Sequence, residues 1–196
     1  DLTDGWQERG DAFKTHPNIN RELFAERRQL GLRDADRPFP VGTALGVLKW
    51  RFSSNELDDV PFVISAWPST SGDLSYLTLE YERKVDADLH DVEISVPCAA
   101  VPKVAHVAGE WRHDPRRAVL VWAPGLVDSS NAEGTMEFSC PAVDSRAFFP
   151  IHVSFTARRT LRGVGIQDVL DAQTGEPVPY GSTVTLRADD YFLVES

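Results

Sequence analysis

Apolar and polar residues alternate along most of this chain. Between Tyr76 and Glu82, Leu77, Leu79 and Tyr81 fall on one side of an extended backbone, and Thr78, Glu80 and Glu82 on the other. Val92, Ile94 and Val96 alternate with Asp91, Glu93 and Ser95, and Met136, Phe138 and Cys140 with Glu137 and Ser139. Ile151, Val153 and Phe155 alternate with His152, Ser154 and Thr156. A period of two with one apolar face predicts half-buried antiparallel strands. The same reading puts further strands at 45–52, 61–67, 103–112, 118–123, 164–170 and 183–187.

Turn chemistry separates these runs: Ser69-Thr70-Ser71-Gly72-Asp73, Asp114-Pro115 and Gln173-Thr174-Gly175-Glu176-Pro177. One helix is predicted from Pro17 to Gln29, capped by Asn18 or Asn20, with Leu23, Phe24 and Arg27 at helical spacing. Residues 30–40, with Gly31, Pro38 and Pro40, read as a loop into the next strand. Short strands with no helix-period segments between them predict an all-β sandwich rather than a parallel α/β sheet. There is no internal repeat and no low-complexity tract.

Length leaves one large or two small domains open, since the chain has 196 residues. Hydrophobic residues at 42% and charged residues at 26% are those of an ordinary globular protein. The net charge of −10 argues against general nucleic-acid binding, which depends on Lys and Arg neutralising phosphates. Cys98 and Cys140 are too few for a disulfide framework; two buried reduced thiols are expected, a single bridge being the alternative. Cys140 shares the apolar face of Met136 and Phe138, while Cys98 follows Pro97 in a predicted loop and is expected to be more accessible. No run approaches the ~18 apolar residues of a membrane span, and Asp1 opens no signal peptide. A soluble domain that meets membranes through partners is the expectation.

Nothing in the residues supplies a catalytic motif. His16, His90, His106, His113 and His152 form no H-E-x-x-H pair and no metal-ligand spacing with the cysteines. Gly163-Val164-Gly165 lacks the third glycine and the helix of a dinucleotide loop. The acidic runs Asp58-Asp59, Asp86 to Asp91 and Asp189-Asp190 read as solvated loop charge. No cofactor and no metal are expected. Basic residues beside aromatics are more informative. Val47-Leu48-Lys49-Trp50-Arg51 puts Lys49 and Arg51 on one strand face and Leu48 and Trp50 on the other, with Trp50 expected in the core. Trp111-Arg112-His113-Asp114-Pro115-Arg116-Arg117 gathers three arginines and a histidine around a turn. On so acidic a chain such clusters make local positive surface for an acidic peptide, or else balance nearby Asp and Glu. Trp67 precedes Pro68, which favours an extended backbone, and is either core or a ligand platform.

Several of these segments carry a resemblance. Thr15-His16-Pro17-Asn18-Ile19 with Leu23-Phe24, Phe39-Pro40, Gly46 to Arg51, Trp67-Pro68-Ser69 and Leu79 to Glu82 resemble the mu homology domain of delta-coatomer subunits. So do Gly109 to Asp114 with Arg116-Arg117, Phe148-Phe149-Pro150 with Val153-Ser154-Phe155, and Phe192-Leu193-Val194. The matches are collinear over residues 15–194, each weak alone and specific together.

The resemblance implies a non-enzymatic, elongated fold of two interleaved antiparallel β-sandwich subdomains, related to the medium subunits of clathrin adaptors. It assigns residues 1–51 and 159–196 to one subdomain, lacking its first strands, and 52–158 to an inserted second. It implies a Golgi-to-endoplasmic-reticulum coat module working with other coatomer subunits, indirectly with an Arf-type GTPase, and on the cytosolic face of Golgi membranes only through the assembled coat. Clathrin-adaptor medium subunits bind tyrosine signals through a Trp and an Arg near their last strands. Here no Trp follows Trp122, so that activity is not expected. The implied ligands are tryptophan-containing acidic motifs of endoplasmic-reticulum tethers and Arf GTPase-activating proteins. The expected site residues are Lys49, Trp50 and Arg51, or Trp111, Arg112, His113, Arg116 and Arg117. A carbohydrate-binding or carbohydrate-active sandwich, and a purely structural coat domain, are the rival readings.

Overall fold

A computed structural model describes residues 12–51, 53–160 and 164–195. Eleven strands, one short α-helix and two 3-10 turns make up the regular structure among them. Two compact units result. The smaller holds the described residues up to Glu56 together with Ile166–Ser182; the larger holds Leu57–Gly165 and the chain from Thr183 on.

In the smaller unit, β1 (Ala12–Thr15) pairs antiparallel with β2 (Leu48–Arg51), with Phe13 opposite Trp50 and Lys14 opposite Lys49. The helix α1 (Arg21–Arg27) is shorter at both ends than the predicted Pro17–Gln29. Asn20 sets its start, because its side-chain oxygen accepts from the backbone N–H of both Glu22 and Leu23 at 3.1 Å. Arg28, in the left-handed region at φ 56°, sets its end, its N–H returning to the Phe24 carbonyl. Phe24 is buried and meets the edge of Phe13 at 6.0 Å. Gly31 is close behind: a Cβ there would stand 2.7 Å from Leu23 Cδ2.

The predicted strand at 164–170 does not form; its described residues contribute only an isolated bridge, Leu170 to Pro177. Ile166 and Leu170 stay exposed, so no buried face holds a ladder there. Asp171 instead organises a turn, accepting from the N–H of Gln173 and Thr174 at 2.9 and 2.8 Å.

The larger unit is the expected sandwich. One sheet runs β3 (Phe62–Ser71), β4 (Leu74–Arg83), β9 (Glu133–Pro141), β6 (Lys103–Val107), antiparallel throughout. The other runs β11 (Leu186–Leu193), β10 (Ile151–Ala157), β5 (Leu89–Pro97), β8 (Val119–Val127), β7 (Glu110–Asp114), also antiparallel. The alternating residues meet between the sheets: Leu77, Leu79, Met136 and Phe138 from one, Val92, Ile94, Ile151 and Val153 from the other. An aromatic file of Phe62, Tyr81 and Trp122, with centroids 5.1 and 5.2 Å apart, runs through the middle.

The predicted strand 103–112 is two strands in different sheets. Gly109, at φ 97°, turns the chain from one sheet to the other. A Cβ there would approach Ala123 O and Pro124 Cα at 3.2 Å. The buried Trp122 indole locks this corner by donating to the Ala108 carbonyl at 2.7 Å. Ser69–Ser71, expected in a loop, extend β3, because Gly72 and Asp73 alone close the β3–β4 hairpin. Leu186–Leu193, which the sequence reading grouped with all of 159–196 in the first subdomain, pairs along β10 and is counted with the larger unit.

Both cysteines are free and buried. Cys98 is therefore not the accessible loop thiol expected: its N–H bonds to Ala118 O at 2.8 Å and its thiol donates to Ala100 O at 3.1 Å.

Candidate functional site

The expected site residues lie on two strands, one in each unit. On β2, Lys49, Trp50 and Arg51 are all exposed, and Trp50 is 40% exposed. Trp50 is thus not core: it stands on a ribbon of two four-residue strands, which leaves much of it exposed. Lys49 and Arg51 share the opposite face.

On β7, period-two geometry separates the aromatic from the charge. Trp111 stands opposite Trp122 in the register, toward the sandwich interior at the sheet edge. Arg112 points the other way, opposite Val121, and pairs with Glu93 at 2.9 Å. Val121 is only 2% exposed although it lies on the outward face of β8. The His113 ring donates from Nε2 to the Cys98 carbonyl at 3.0 Å, since a carbonyl can only accept. Asp114 shapes the following turn by accepting from the N–H of Arg116 and Arg117 at 3.0 and 3.2 Å, leaving both guanidiniums in solvent. This cluster is therefore partly engaged in holding its own sheet.

A concavity occurs elsewhere in the smaller unit. His16, Pro17, Asn18, Arg33, Arg37, Pro38, Phe39, Pro40 and Leu45 line an open cleft of about 310 Å³. Backbone bonds draw its three segments together: His16 N–H to Val47 O at 2.9 Å, and Arg33 N–H to Asn18 O at 2.8 Å. The Asn18 side chain adds a bond to the Arg37 carbonyl at 2.7 Å. His16 Nδ1 accepts from the Asn18 N–H at 3.1 Å, so the neutral ring carries its proton on Nε2. The ring meets Phe39 edge to face, 5.1 Å between centroids at 89°. Three prolines give the wall a rigid apolar surface that costs little side-chain entropy to cover. The Arg33 and Arg37 side chains make no ion pair among the described residues and are exposed. An apolar pocket between two unneutralised guanidiniums suits a flat aromatic anchor flanked by carboxylates.

The sequence reading took 30–40 as a connecting loop and so missed this cleft. Its signal was the clustering of Pro38, Phe39 and Pro40 beside two arginines, which becomes a wall only once His16–Asn18 folds against it. Among the described residues no three His, Cys, Asp or Glu side chains are placed to hold a metal ion. No helix there is long and apolar enough to cross a membrane.

Residues 9–180 match the adaptor complexes medium subunit family. The chain is 46% identical over 169 residues to coatomer subunit delta of Arabidopsis thaliana, which covers 83% of this chain. It spans 32% of that relative's length. The fold is similar to the solved yeast delta-COP-I mu-homology domain, with a TM-score of 0.79 and 26% identity over 92% of this chain and 75% of that one. The same yeast domain complexed with a Dsl1 WxWxV peptide gives 0.78 and 25% over 93% and 76%. From the collinear segments, the antiparallel sandwich and these likenesses together, the chain belongs to the adaptor complexes medium subunit family, as a mu homology domain of the delta-coatomer kind.

Proposed function

We propose that the chain is a non-catalytic adaptor module of a vesicle coat, binding short acidic peptides that carry tryptophan, at the cleft of its smaller unit. The observation that carries this reading is the pairing of an apolar wall, Phe39 with Pro38, Pro40 and Leu45, with the cations Arg33 and Arg37. The solved yeast relative bound to a WxWxV peptide supports the ligand class. Lys49 and Arg51 belong to the same unit, and no more than about 14 Å of chain separates Leu45 from Lys49. They extend the positive surface along β2, and of the two basic clusters on the strands this is the one that borders the site. Arg112, tied to Glu93, is the weaker candidate. In the coat the module acts with other coatomer subunits, in retrograde Golgi-to-endoplasmic-reticulum traffic. Its peptides come from tethers and Arf GTPase-activating proteins, and an Arf-type GTPase and the membrane are reached only through the assembled coat.

Titration calorimetry with a short acidic peptide bearing two tryptophans tests this. The parent chain is expected to bind it, and the peptide with both tryptophans replaced by alanine is expected to give no heat. Arg33→Glu with Arg37→Glu should weaken binding about tenfold or more, Lys49→Glu with Arg51→Glu less, and Arg112→Glu with Arg117→Glu hardly at all. Equal binding of the alanine peptide would end the reading; undiminished binding by the Arg33/Arg37 variant would move the site.

A further inference from the structure

We infer that the outer face of the four-stranded sheet is a second docking surface, taken by a partner segment that alternates basic and aliphatic residues. The face follows from the register. With Phe62, Ile64, Leu77, Leu79, Tyr81, Met136 and Phe138 turned into the core, the intervening side chains of β3, β4 and β9 turn outward. Most outward positions of a solvated sheet are small or charged. Here Trp67 is 51% exposed, and Leu74 and Tyr76 are each 41% exposed.

These three side chains are neighbours. Leu74 and Tyr76 lie two residues apart on one face of β4. Trp67 sits opposite Thr78, placing Tyr76 and Glu80 on its two diagonals, within reach of a large ring. No hydrogen bond or ring contact within the described chain engages Trp67. An indole left half in water on a flat sheet has no stabilising role for its exposed part.

The charge around this stripe selects the occupant. Glu80 flanks Trp67, Glu137 stands opposite Thr78 on the far side, and Glu133 stands opposite Glu82. Glu82 is neutralised by Lys84, whereas Glu80, Glu133 and Glu137 have no ion pair among the described residues. Lys103, the cation of β6, lies at the far edge opposite Ser139. A lysine or arginine laid across Trp67 meets the ring face and the Glu80 and Glu137 carboxylates together, combining cation–π attraction with charge pairing. Its aliphatic neighbours cover Tyr76 and Leu74. The same carboxylates repel an acidic peptide and an anionic membrane surface, so neither the ligand proposed above nor a lipid headgroup fits here.

Fluorescence anisotropy of a labelled short peptide of alternating lysine and leucine tests the surface on the whole chain. The parent is expected to bind it in a salt-sensitive manner. Trp67→Ala should weaken binding about tenfold while shifting the melting temperature by no more than about 2 °C. Tyr76→Ala is the second variant, should the first fold poorly. Glu80→Lys with Glu137→Lys should abolish binding, and Asp189→Lys with Asp190→Lys, an equal change of net charge elsewhere, should leave most of it. No binding by the parent, equal loss in the Asp189/Asp190 control, or full binding by both aromatic variants would overturn the proposal. Binding of the tryptophan-bearing acidic peptide should be unchanged in Trp67→Ala, so the two sites succeed or fail separately.

Discussion

Buried thiols and one glycine make the clearest demands on single positions. Burial first, and the neighbouring Cys140 after it, push the Cys98 thiol up to about 11. Burial raises Cys140 as well. At pH 8 the folded protein should therefore react with a thiol reagent far more slowly than the unfolded chain, which should show two free groups. A group raised in the folded state contributes stability below its ordinary value and loses it on ionising. Denaturation midpoints should thus fall as pH climbs from about 9 to about 11, and the fall should shrink in Cys98→Ala. Gly134 has a steric role: a Cβ there would stand 2.5 to 2.7 Å from the Tyr81 ring, which is buried and donates its hydroxyl to Asn131 O at 3.1 Å. Gly134→Ala should cost about 1–3 kcal/mol in urea denaturation, through displacement of that ring.

At the scale of elements, alternation was legible wherever a second layer exists to bury one face. Leu77–Tyr81, Val92–Val96, Met136–Cys140 and Ile151–Phe155 were all readable as strands because the two sheets of the larger unit cover each other. The 164–170 stretch has similar alternation but no buried face, and pattern alone cannot tell the two apart. Boundaries depended on single residues: Gly109 split one predicted strand between two sheets, and Arg28 ended α1 by entering the left-handed region. Asn20 matters most to α1, since seven residues of helix cannot hold themselves. Asn20→Ala should destabilise the smaller unit by about 0.5–2 kcal/mol. Hydrogen exchange should speed up at Glu22 and Leu23 while the sandwich amides stay protected. The same period-two rule keeps each basic-aromatic segment from presenting its ring and its adjacent charge on one face. Trp111-Arg112 and Trp50-Arg51 are adjacent in sequence, and adjacency in a strand puts two side chains on opposite faces.

For the molecule as a whole, the family was legible in the sequence and the cleft was not. A chain of net charge −10 keeps Arg33 and Arg37 exposed at the cleft, with Asp34 and Asp36 between them in the same loop. The cleft comes from loops 16–18 and 33–45, whose closure no local pattern announces. Affinity for the acidic tryptophan peptide should fall as salt rises, mainly through slower association, with the melting temperature little changed; stopped-flow mixing at several ionic strengths measures this. A different consequence follows from β11 pairing with β10 across an excursion of the chain through the smaller unit. A ribosome makes β10 first and reaches β11 roughly 30 residues later, which at about 5–20 residues per second is on the order of seconds. Throughout that interval Ile151, Val153 and Phe155 belong to a strand whose outer edge has no partner, the kind of edge to which other nascent chains add. The larger sandwich is thus finished from its far end, and during synthesis its edge must wait, or be held by a chaperone, until the chain returns from the smaller unit.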